Sequence, residues 1–460
     1  MSPENFSLTT RIARPAEEVF AWHERPGALA RLTPPWERVQ IVTSAGGVGD
    51  GSRAVIRSAV GPFWSEWEAE HRDRVAGRQF RDVMIRGPFA SWEHLHAIEP
   101  EGPGACRLTD TISYRLPLGV AGRWLAGGWV RRKIERAFRW RHAVTKADLE
   151  SAARLGPVAP MNILVAGGSG LLGQALIPFL RTQGHRVVVL VRRRASGADE
   201  LSWIPAGGTL DATALGEMDA AVNLSGENIA GGRWTAGRRA RIRSSRVDAT
   251  RTLVSALARA EPRPRVLVNA SAVGVYGDHG AEVLDESSPE ATGFLPEVVH
   301  AWETEAERLR DAGGRVALLR FGVVLSPAGG ALGKMLPAFR LGLAGRLGSG
   351  RQWLSWVSAD DAVAAVYHAL TDAKVAGPVN VVAPGAVTNA EFTGVLARVL
   401  QRPAVIPIPV MVLHGLFGEM ADAALLASTR ASAAKLEAAG YVFRFPCLEP
   451  ALRHVLGIPS

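Results

Sequence analysis

One segment near the middle of the chain, NILVAGGSGLLG at 162–173, constrains the fold more than any other feature. An apolar run typical of a buried strand leads into a G-x-x-G-x-x-G loop, and a run typical of a helix follows. In such a loop Gly167 permits a tight turn, Gly170 lets the backbone approach a pyrophosphate, and Gly173 lets helix and strand pack closely. The N-terminus of the helix attracts the anion. The segment therefore predicts a dinucleotide-binding turn. The other loop residues expected to contact the cofactor are Ser169, Leu171 and Leu172.

The end of the next predicted strand indicates which dinucleotide is bound. A site for NAD places Asp or Glu there to bond the ribose hydroxyls, but here Val191 is followed by three arginines, 192–194. Guanidinium groups grip phosphate in a forked, charge-assisted geometry. Arg192 and Arg193 are therefore predicted to bind a 2′-phosphate, so NADP(H) is expected rather than NAD(H). The alternative is a solvated basic turn.

Length and composition predict two folded domains. A chain of 460 residues exceeds what one core usually organises, and 47% hydrophobic with 21% charged residues is typical of globular proteins. Residues 155–160, LGPVAP, separate a helical stretch from the strand at Asn162. We expect a first domain over 1–155 and a second over 161–460, with a C-terminal extension from about 395.

The hydrophobic periodicity differs between the two halves. Before the linker, alternating segments predict an antiparallel sheet, with one helix starting near Pro15 and a long one from about Trp129 to Ala153. After the linker, apolar strands alternate with helices, which is typical of a parallel, doubly wound sheet. The predicted fold class is an α+β domain followed by an α/β domain with a smaller substrate-side part.

Several classes of function are disfavoured by composition. The formal charge is +9, yet the arginines are spread along the chain and mixed with acids, so no nucleic acid is expected as a partner. The two cysteines, Cys106 and Cys447, form no metal-ligand spacing and no disulfide framework. No signal peptide or membrane span is recognised, so we expect a cytoplasmic protein with a small-molecule substrate and no membrane partner. The oligomeric state cannot be predicted.

Further motifs follow the glycine loop: MDAAVNLSGENI, RSSR, NASAVGVYG, LLRFGVVLSPAGGAL and WLSWVSADD. From about Asn162 to the C-terminus, they resemble the short-chain dehydrogenase/reductase superfamily and, within it, the atypical branch of epimerase-like proteins. The resemblance implies a Rossmann fold whose substrate-binding part follows about Ala328. It places Val323 near the nicotinamide. The further cofactor-lining residues are Leu224, Ser225, Gly226, Arg246 and Ser271.

The catalytic signature of that superfamily is absent. Its enzymes use Tyr-x-x-x-Lys, but Val299 and Glu303 stand where the pair should fall, and no tyrosine of this chain is followed by lysine at that spacing. The usual serine aligns with Ala272, with Ser271 beside it. Either another group supplies the acid or base, or the domain binds NADP(H) without turnover, as a sensor or scaffold. The candidate acid/base groups are Glu303, His300, Tyr276 and Ser271.

The N-terminal part is similar to the START-like helix-grip superfamily of polyketide cyclase and dehydrase type, through ARPAEEVFAWHERPGALARLTPPW, GPFASWEHLHAIEP and the long last helix. This resemblance implies a sheet curled around that helix and an apolar cavity for a hydrophobic ligand. His94 and His96 face the same side of one strand. Two histidines so placed can bind a metal, but with no third ligand evident they are interpreted as ordinary polar or pocket-lining residues, and no metal site is predicted. Adjacent Asp360 and Asp361 are expected to cap a helix.

The leading hypothesis is an NADP(H)-dependent oxidoreductase or epimerase acting on a small, unidentified substrate. The alternative is a non-catalytic NADP(H)-binding sensor or scaffold coupled to a hydrophobic-ligand-binding domain.

Overall fold

A computed structural model describes residues 2–44, 47–60 and 63–459. The chain divides into two compact units: the first comprises residues up to Val158 together with Pro178–Gly184 and Gly457–Pro459, and the second comprises Ala159–Ile177 and His185–Leu456. None of the helices in the described ranges combines the length and the apolar character that crossing a membrane requires.

The N-terminal unit is a seven-stranded antiparallel sheet with three helices. The strands lie in the order β1-β7-β6-β5-β4-β3-β2. The elements are β1 (Glu4–Ile12), α1 (Ala16–Glu24), α2 (Ala28–Arg31), β2 (Val39–Ser44), β3 (Arg53–Val60), β4 (Phe63–Val75), β5 (Gln79–Arg86), β6 (Ser91–Pro100), β7 (Cys106–Arg115) and α3 (Gly119–Arg154).

One face of this sheet packs against the long helix α3. Burial alternates along β6, so that Trp92 and His94 point inward while Glu93 between them is exposed. From α3, Ile134 and Phe138 lie one turn apart and pack against Trp92 and neighbouring apolar side chains. The core of the unit is therefore continuous from β6 to α3.

The predicted start of α3 at Trp129 was wrong, because the helix begins ten residues earlier, at Gly119. Glycines at 119, 122, 127 and 128 argue against a helix by propensity. Gly122 is required by packing, since a Cβ there would overlap the carbonyl oxygen of Pro117. The close approach of the backbone therefore explains why position 122 is a glycine, although glycine is unfavourable in a helix by propensity.

The C-terminal unit is built on a seven-stranded sheet in the order β10-β9-β8-β11-β12-β14-β18, with every pairing parallel. Both parts of the predicted fold class are confirmed. The elements are β8 (Asn162–Ala166), α4 (Leu171–Thr182), β9 (Arg186–Val191), β10 (Glu200–Ser202), β11 (Ala220–Asn223), α5 (Ala236–Arg259), β12 (Val266–Ala272), β13 (Val283–Leu284), α6 (Phe294–Asp311), β14 (Arg315–Phe321), β15 (Val323–Leu325), α7 (Gly330–Arg340), β16 (Trp353–Leu354), β17 (Trp356–Ser358), α8 (Ala359–Thr371), β18 (Gly377–Val381), β19 (Val387–Thr388), α9 (Asn389–Leu400), α10 (Val410–Phe417), β20 (Arg430–Ala431), α11 (Ala434–Ala438) and α12 (Leu448–Leu456).

The parallel order brings the carboxyl ends of four adjacent strands to one edge. These ends are Ala166 of β8, Val191 of β9, Asn223 of β11 and Ala272 of β12. Ligands of open α/β sheets bind outside this edge. The residues that follow these four strands therefore define the candidate site.

Candidate functional site

The glycine loop after β8 is shaped by backbone contacts. Gly167 has a φ of 82°, and a Cβ there would lie 2.6 Å from the carbonyl carbon of Leu224. A Cβ at Gly173 would lie 2.7 Å from the Cα of Gly168, so helix and turn are in direct contact. Gly170 differs: it is exposed, and a Cβ there would meet only the Gly167 carbonyl oxygen, at 3.3 Å. Its outer side is thus open to a ligand.

The cofactor-lining segment implied by the resemblance lies directly beside this loop. The Leu224 N–H donates to the Ala166 carbonyl at 2.9 Å, which places the end of β11 against the end of β8. The Ser225 N–H donates to Asn223 Oδ1 at 3.1 Å. The buried Ser225 hydroxyl itself has no hydrogen-bond partner within the described ranges. A buried hydroxyl without a partner costs free energy, and a bound cofactor would supply one.

The guanidinium of Arg246 on α5 packs against the backbone of Gly226. A Cβ at Gly226 would lie 2.9 Å from the Arg246 Cζ, so only glycine leaves room for the guanidinium. Arg246 donates to the carbonyls of Glu227 and Ile242, both at 3.1 Å. Burial lowers the pKa of Arg246 to about 10, which still leaves it charged at neutral pH. Arg246 is a fixed cation near the predicted dinucleotide site.

The two arginines predicted to bind a 2′-phosphate, in the turn after β9, have different surroundings in the structure. Arg192 is exposed and forms no ion pair with any described residue. Arg193 donates to both carboxylate oxygens of Glu200, at 2.8 and 2.5 Å. Hydrogen bonds from Arg193 and Ser196 lower the pKa of Glu200 to about 2. Arg192 is therefore available to an anion, whereas Arg193 is held by a carboxylate.

Of the remaining predicted contacts, three lie in the glycine loop or directly after it, and Val323 lies elsewhere in the sequence. Ser169 is exposed in the loop, and Leu171 and Leu172 are half-buried in the first turn of α4. Val323 opens β15, and its N–H donates to the Ser355 carbonyl at 2.8 Å. No described contact joins Val323 to the glycine loop, so its place near the nicotinamide stays a prediction.

Three of the four candidate acid/base groups meet in one buried network. Ser271 at the end of β12 donates to Glu303 of α6. Arg320, opposite Ser271 in the register of β12 and β14, donates to both oxygens of Glu303 at 2.9 and 2.7 Å. It also donates to the Tyr276 hydroxyl at 3.1 Å and to Glu290 at 3.2 Å. The network occupies the place where the superfamily carries its catalytic pair.

The pKa values of two members of this network, Arg320 and Tyr276, are raised above their ordinary values. Burial by itself would lower the pKa of Arg320. The hydrogen bonds to Glu303 and the negative charge of Glu303 outweigh burial and raise this pKa above its ordinary value. Burial is the main cause that raises the pKa of Tyr276. The fourth candidate, His300, is exposed and lies 2.8 Å from Glu290. Glu303 is thus a partner of Arg320 rather than a free base.

Sequence reasoning missed Arg320. A signal was present, because Arg320 is the one charged residue in LLRFGVVL, and a cation in a buried strand requires a partner.

The expected capping role of the Asp360–Asp361 pair requires correction. Ser358 is the N-cap of α8 and accepts from the Asp361 N–H at 2.9 Å. The Asp361 carboxylate instead accepts from the backbone N–H groups of Arg444 and Phe445, at 2.7 and 3.1 Å. Asp360 lies 2.8 Å from His454. Both aspartates therefore contact the C-terminal part of the chain, at residues 444, 445 and 454.

In the N-terminal unit, the structure corrects the premise that His94 and His96 lack a third ligand. Asp82 of β5 stands directly opposite His94 in the sheet, and its Oδ2 lies 3.4 Å from a ring nitrogen of each histidine. Burial disfavours charge on His96, yet Asp110 and Asp82 outweigh it and raise its pKa to about 9. Asp82, His94 and His96 lie in the wall of a cavity of about 690 Å³.

Family comparisons agree with this two-part organisation. A model described as the NAD dependent epimerase/dehydratase family matches residues 163–383. A model for polyketide cyclase/dehydrase and lipid transport matches residues 3–150, and a domain of unknown function (DUF1731) matches residues 408–455. An epimerase family protein of Mycobacterium bovis is 43% identical over 298 residues, which are 65% of this chain and 98% of that protein. Both resemblances seen in the sequence are confirmed.

Two solved structures are similar in fold and sequence. A nucleoside-diphosphate sugar epimerase from Corynebacterium glutamicum has a TM-score of 0.81 and 31% identity, covering 98% of this chain and 90% of that one. The human epimerase family protein SDR39U1, solved with NADPH, has a TM-score of 0.60 and 36% identity, covering 64% of this chain and 99% of that one. The first similarity extends over both units and the second over the C-terminal part alone.

Proposed function

Because this chain belongs to the epimerase family of atypical short-chain dehydrogenase/reductase proteins, we propose that its C-terminal unit binds NADP(H) and acts as an oxidoreductase or epimerase on a small molecule. The observation that carries the proposal is the site at the carboxyl edge of the sheet. There, an open glycine, a buried hydroxyl without a partner and a fixed cation lie on neighbouring strand ends and on α5.

The residues present fit such a cofactor. Gly170 and the first turn of α4 offer backbone N–H groups to a pyrophosphate, while Ser225 Oγ would gain a missing hydrogen bond. Arg192 is the available ligand for a 2′-phosphate, which favours NADP(H) over NAD(H). The similar human protein was solved with NADPH, which supports this choice.

When bound, the nicotinamide supplies hydride transfer, and the chain supplies orientation. Ser271 donates its proton to Glu303, so its oxygen retains lone pairs that can accept a hydrogen bond from a substrate hydroxyl. Arg320 fixes Glu303 and thereby Ser271. Ser271 is accordingly proposed as a positioning residue. The proton donor or acceptor of the reaction is left unassigned.

A second candidate function rests on the same network. Since Arg320 engages Glu303 and Tyr276, the position of the missing Tyr-x-x-x-Lys pair is filled by a structural ion pair. This favours an NADP(H)-binding sensor or scaffold without turnover.

We further propose residues 1–155 as a START-like ligand-binding domain and 161–460 as the NADP-binding domain, with its extension from about 395. The cavity of about 690 Å³ in the N-terminal unit, lined largely by apolar and aromatic side chains, suits a hydrophobic ligand. A cytoplasmic location stays a prediction.

The cofactor proposal is tested by titrating the full chain with NADPH and NADH while following nicotinamide fluorescence. Gly170→Val fills the open side of the loop and should abolish NADPH binding while the melting temperature is retained. Gly394→Ala, at an exposed helical glycine with no atom within 4 Å of its Cβ, is the matched control. Unchanged NADPH binding in Gly170→Val would remove the proposed site.

Turnover is tested separately, with the protein saturated with NADPH or NADP. A panel of nucleoside-diphosphate sugars is suggested by the Corynebacterium relative, and simple ketones and aldehydes complete it. A substrate-dependent change in nicotinamide absorbance, or epimerised product, supports the enzyme. Binding of NADPH without either result across the panel favours the sensor.

A further inference from the structure

A cluster of histidines and aspartates in the N-terminal unit has no part in the proposed dinucleotide chemistry. His94 and His96 project from one face of β6, and the register places Asp82 of β5 and Asp110 of β7 opposite them. Both histidines and Asp110 are buried, and the two histidines line the apolar cavity together with Asp82. Among the described residues, each ion-pair partner of the two carboxylates is a histidine.

The ligand atoms have the spacing of a metal site. Asp82 Oδ2 lies 3.4 Å from His94 Nδ1 and 3.4 Å from His96 Nε2, and one donor atom from each of the three residues falls within 4.8 Å of the others. These separations exceed an ordinary N–H···O hydrogen bond. A tetrahedral zinc site with bonds of about 2.0–2.2 Å places its ligand atoms about 3.4 Å apart, which matches the two separations from Asp82 to the histidines.

The opposite ring nitrogens of the two histidines lie close to a second carboxylate, although neither forms a hydrogen bond of regular geometry with a described residue. His96 Nδ1 lies 2.8 Å and His94 Nε2 3.4 Å from Asp110 Oδ1. Asp110 is held in turn by His142 of α3, at 3.0 Å. On the other side, His71 Nδ1 lies 2.5 Å from Asp82 Oδ1. Metal-binding histidines typically donate their second N–H to a carboxylate, which fixes the ring and raises its basicity.

From this geometry, we propose that Asp82, His94 and His96 bind one divalent transition-metal ion of the zinc class. Two histidines and one carboxylate provide three protein ligands, which leaves coordination open for a further donor. All three residues line the cavity, so an oxygen-bearing head group of an apolar ligand held there is the chemical class that completes the site. Asp110 is a positioning residue for the two imidazoles.

The test uses the full chain, stripped with a chelator and titrated with Co²⁺ while visible absorption is followed, then with Zn²⁺ by calorimetry. One ion per chain is expected, with Zn²⁺ displacing Co²⁺. Asp82→Asn should lose stoichiometric binding. Asp110→Asn should weaken it about 10- to 100-fold, because it removes only the outer partner. Glu93→Gln, next to His94 but exposed on the other face of β6, should bind like wild type.

Near-UV circular dichroism confirms folding of each variant. Failure of the wild-type chain to bind Co²⁺ or Zn²⁺ at one ion per chain overturns the proposal without reference to any variant. So does equal binding by Asp82→Asn and Glu93→Gln, since the ion would then lie elsewhere. Nucleotide is absent throughout, so the result is independent of the NADP(H) proposal.

Discussion

Removal of the Arg192 side chain should convert a site selective for NADPH into one that no longer distinguishes it from NADH. Arg192 is the member of the predicted pair without a carboxylate partner, whereas Arg193 is held by Glu200 at 2.8 and 2.5 Å. A hydrogen bond to a charged group contributes about 1.5–3 kcal/mol. At about 1.4 kcal/mol for each factor of ten, Arg192→Ala should raise the Kd of NADPH about 10- to 150-fold. Because the site is exposed, the lower end is expected.

Substitution of Arg193 and substitution of Glu200, the two members of this ion pair, should change the affinity for NADPH in opposite directions. Arg193→Ala should weaken NADPH binding less than Arg192→Ala does, since Arg193 must first leave Glu200. Glu200→Gln releases Arg193 and removes a negative charge, so NADPH should bind more tightly. Because this ion pair is exposed and screened by solvent, each change should be no more than about fivefold.

The assay is nicotinamide fluorescence at fixed ionic strength, with NADH as the internal control for each variant. The Kd of NADH should stay within twofold (about 0.4 kcal/mol) in all three variants, since NADH lacks the 2′-phosphate. Equal weakening of NADPH and NADH by Arg192→Ala would show that the arginine supports the loop rather than the phosphate. No change for either would refute the reasoning and leave a solvated basic turn.

Three further predictions concern stability, measured by urea unfolding. Glu303→Gln should cost about 3–5 kcal/mol, because it leaves the buried Arg320 without its main partner; a loss below about 1 kcal/mol would contradict a buried ion pair. Trp356→Ala, at a fully buried side chain, should cost about 3–5 kcal/mol, and wild-type stability would show that the cavity refills. Thr388→Ala should cost about 1 kcal/mol, because it removes the capping box with Glu391; the same loss in Glu391→Gln would show that charge matters more than the hydroxyl.

The glycine loop could be predicted from sequence because its constraints are local. Gly167 needs a positive φ and Gly173 needs close backbone packing, and both follow from a strand–turn–helix within twelve residues. The ion pair between Glu303 and Arg320 could not be predicted. It joins α6 to β14, and only the crossover connection brings the two side chains together.

The position of Asp82 beside the two histidines could not be predicted for a similar reason. His94 and His96 are visible as a pair from the period of a strand, but Asp82 joins them through the register of β5 and β6. Register depends on the turn and on which face is buried, and neither can be read from the histidines alone. A sequence motif can identify residues on the same face of one strand. The residues that lie opposite them depend on how the neighbouring strand is paired in the sheet.

The buried pair of Glu303 and Arg320 also restricts how this branch of the family could have diverged. Loss of either partner alone leaves an unpaired buried charge that costs about 3–5 kcal/mol, a large part of the 5–15 kcal/mol that typically holds a domain folded. A lysine restored at 303 would face Arg320 and repel it. Return to a Tyr-x-x-x-Lys enzyme through single substitutions therefore crosses a less stable intermediate, whichever of the two residues is replaced first. Lineages that carry this pair are expected to retain both residues or to have exchanged both.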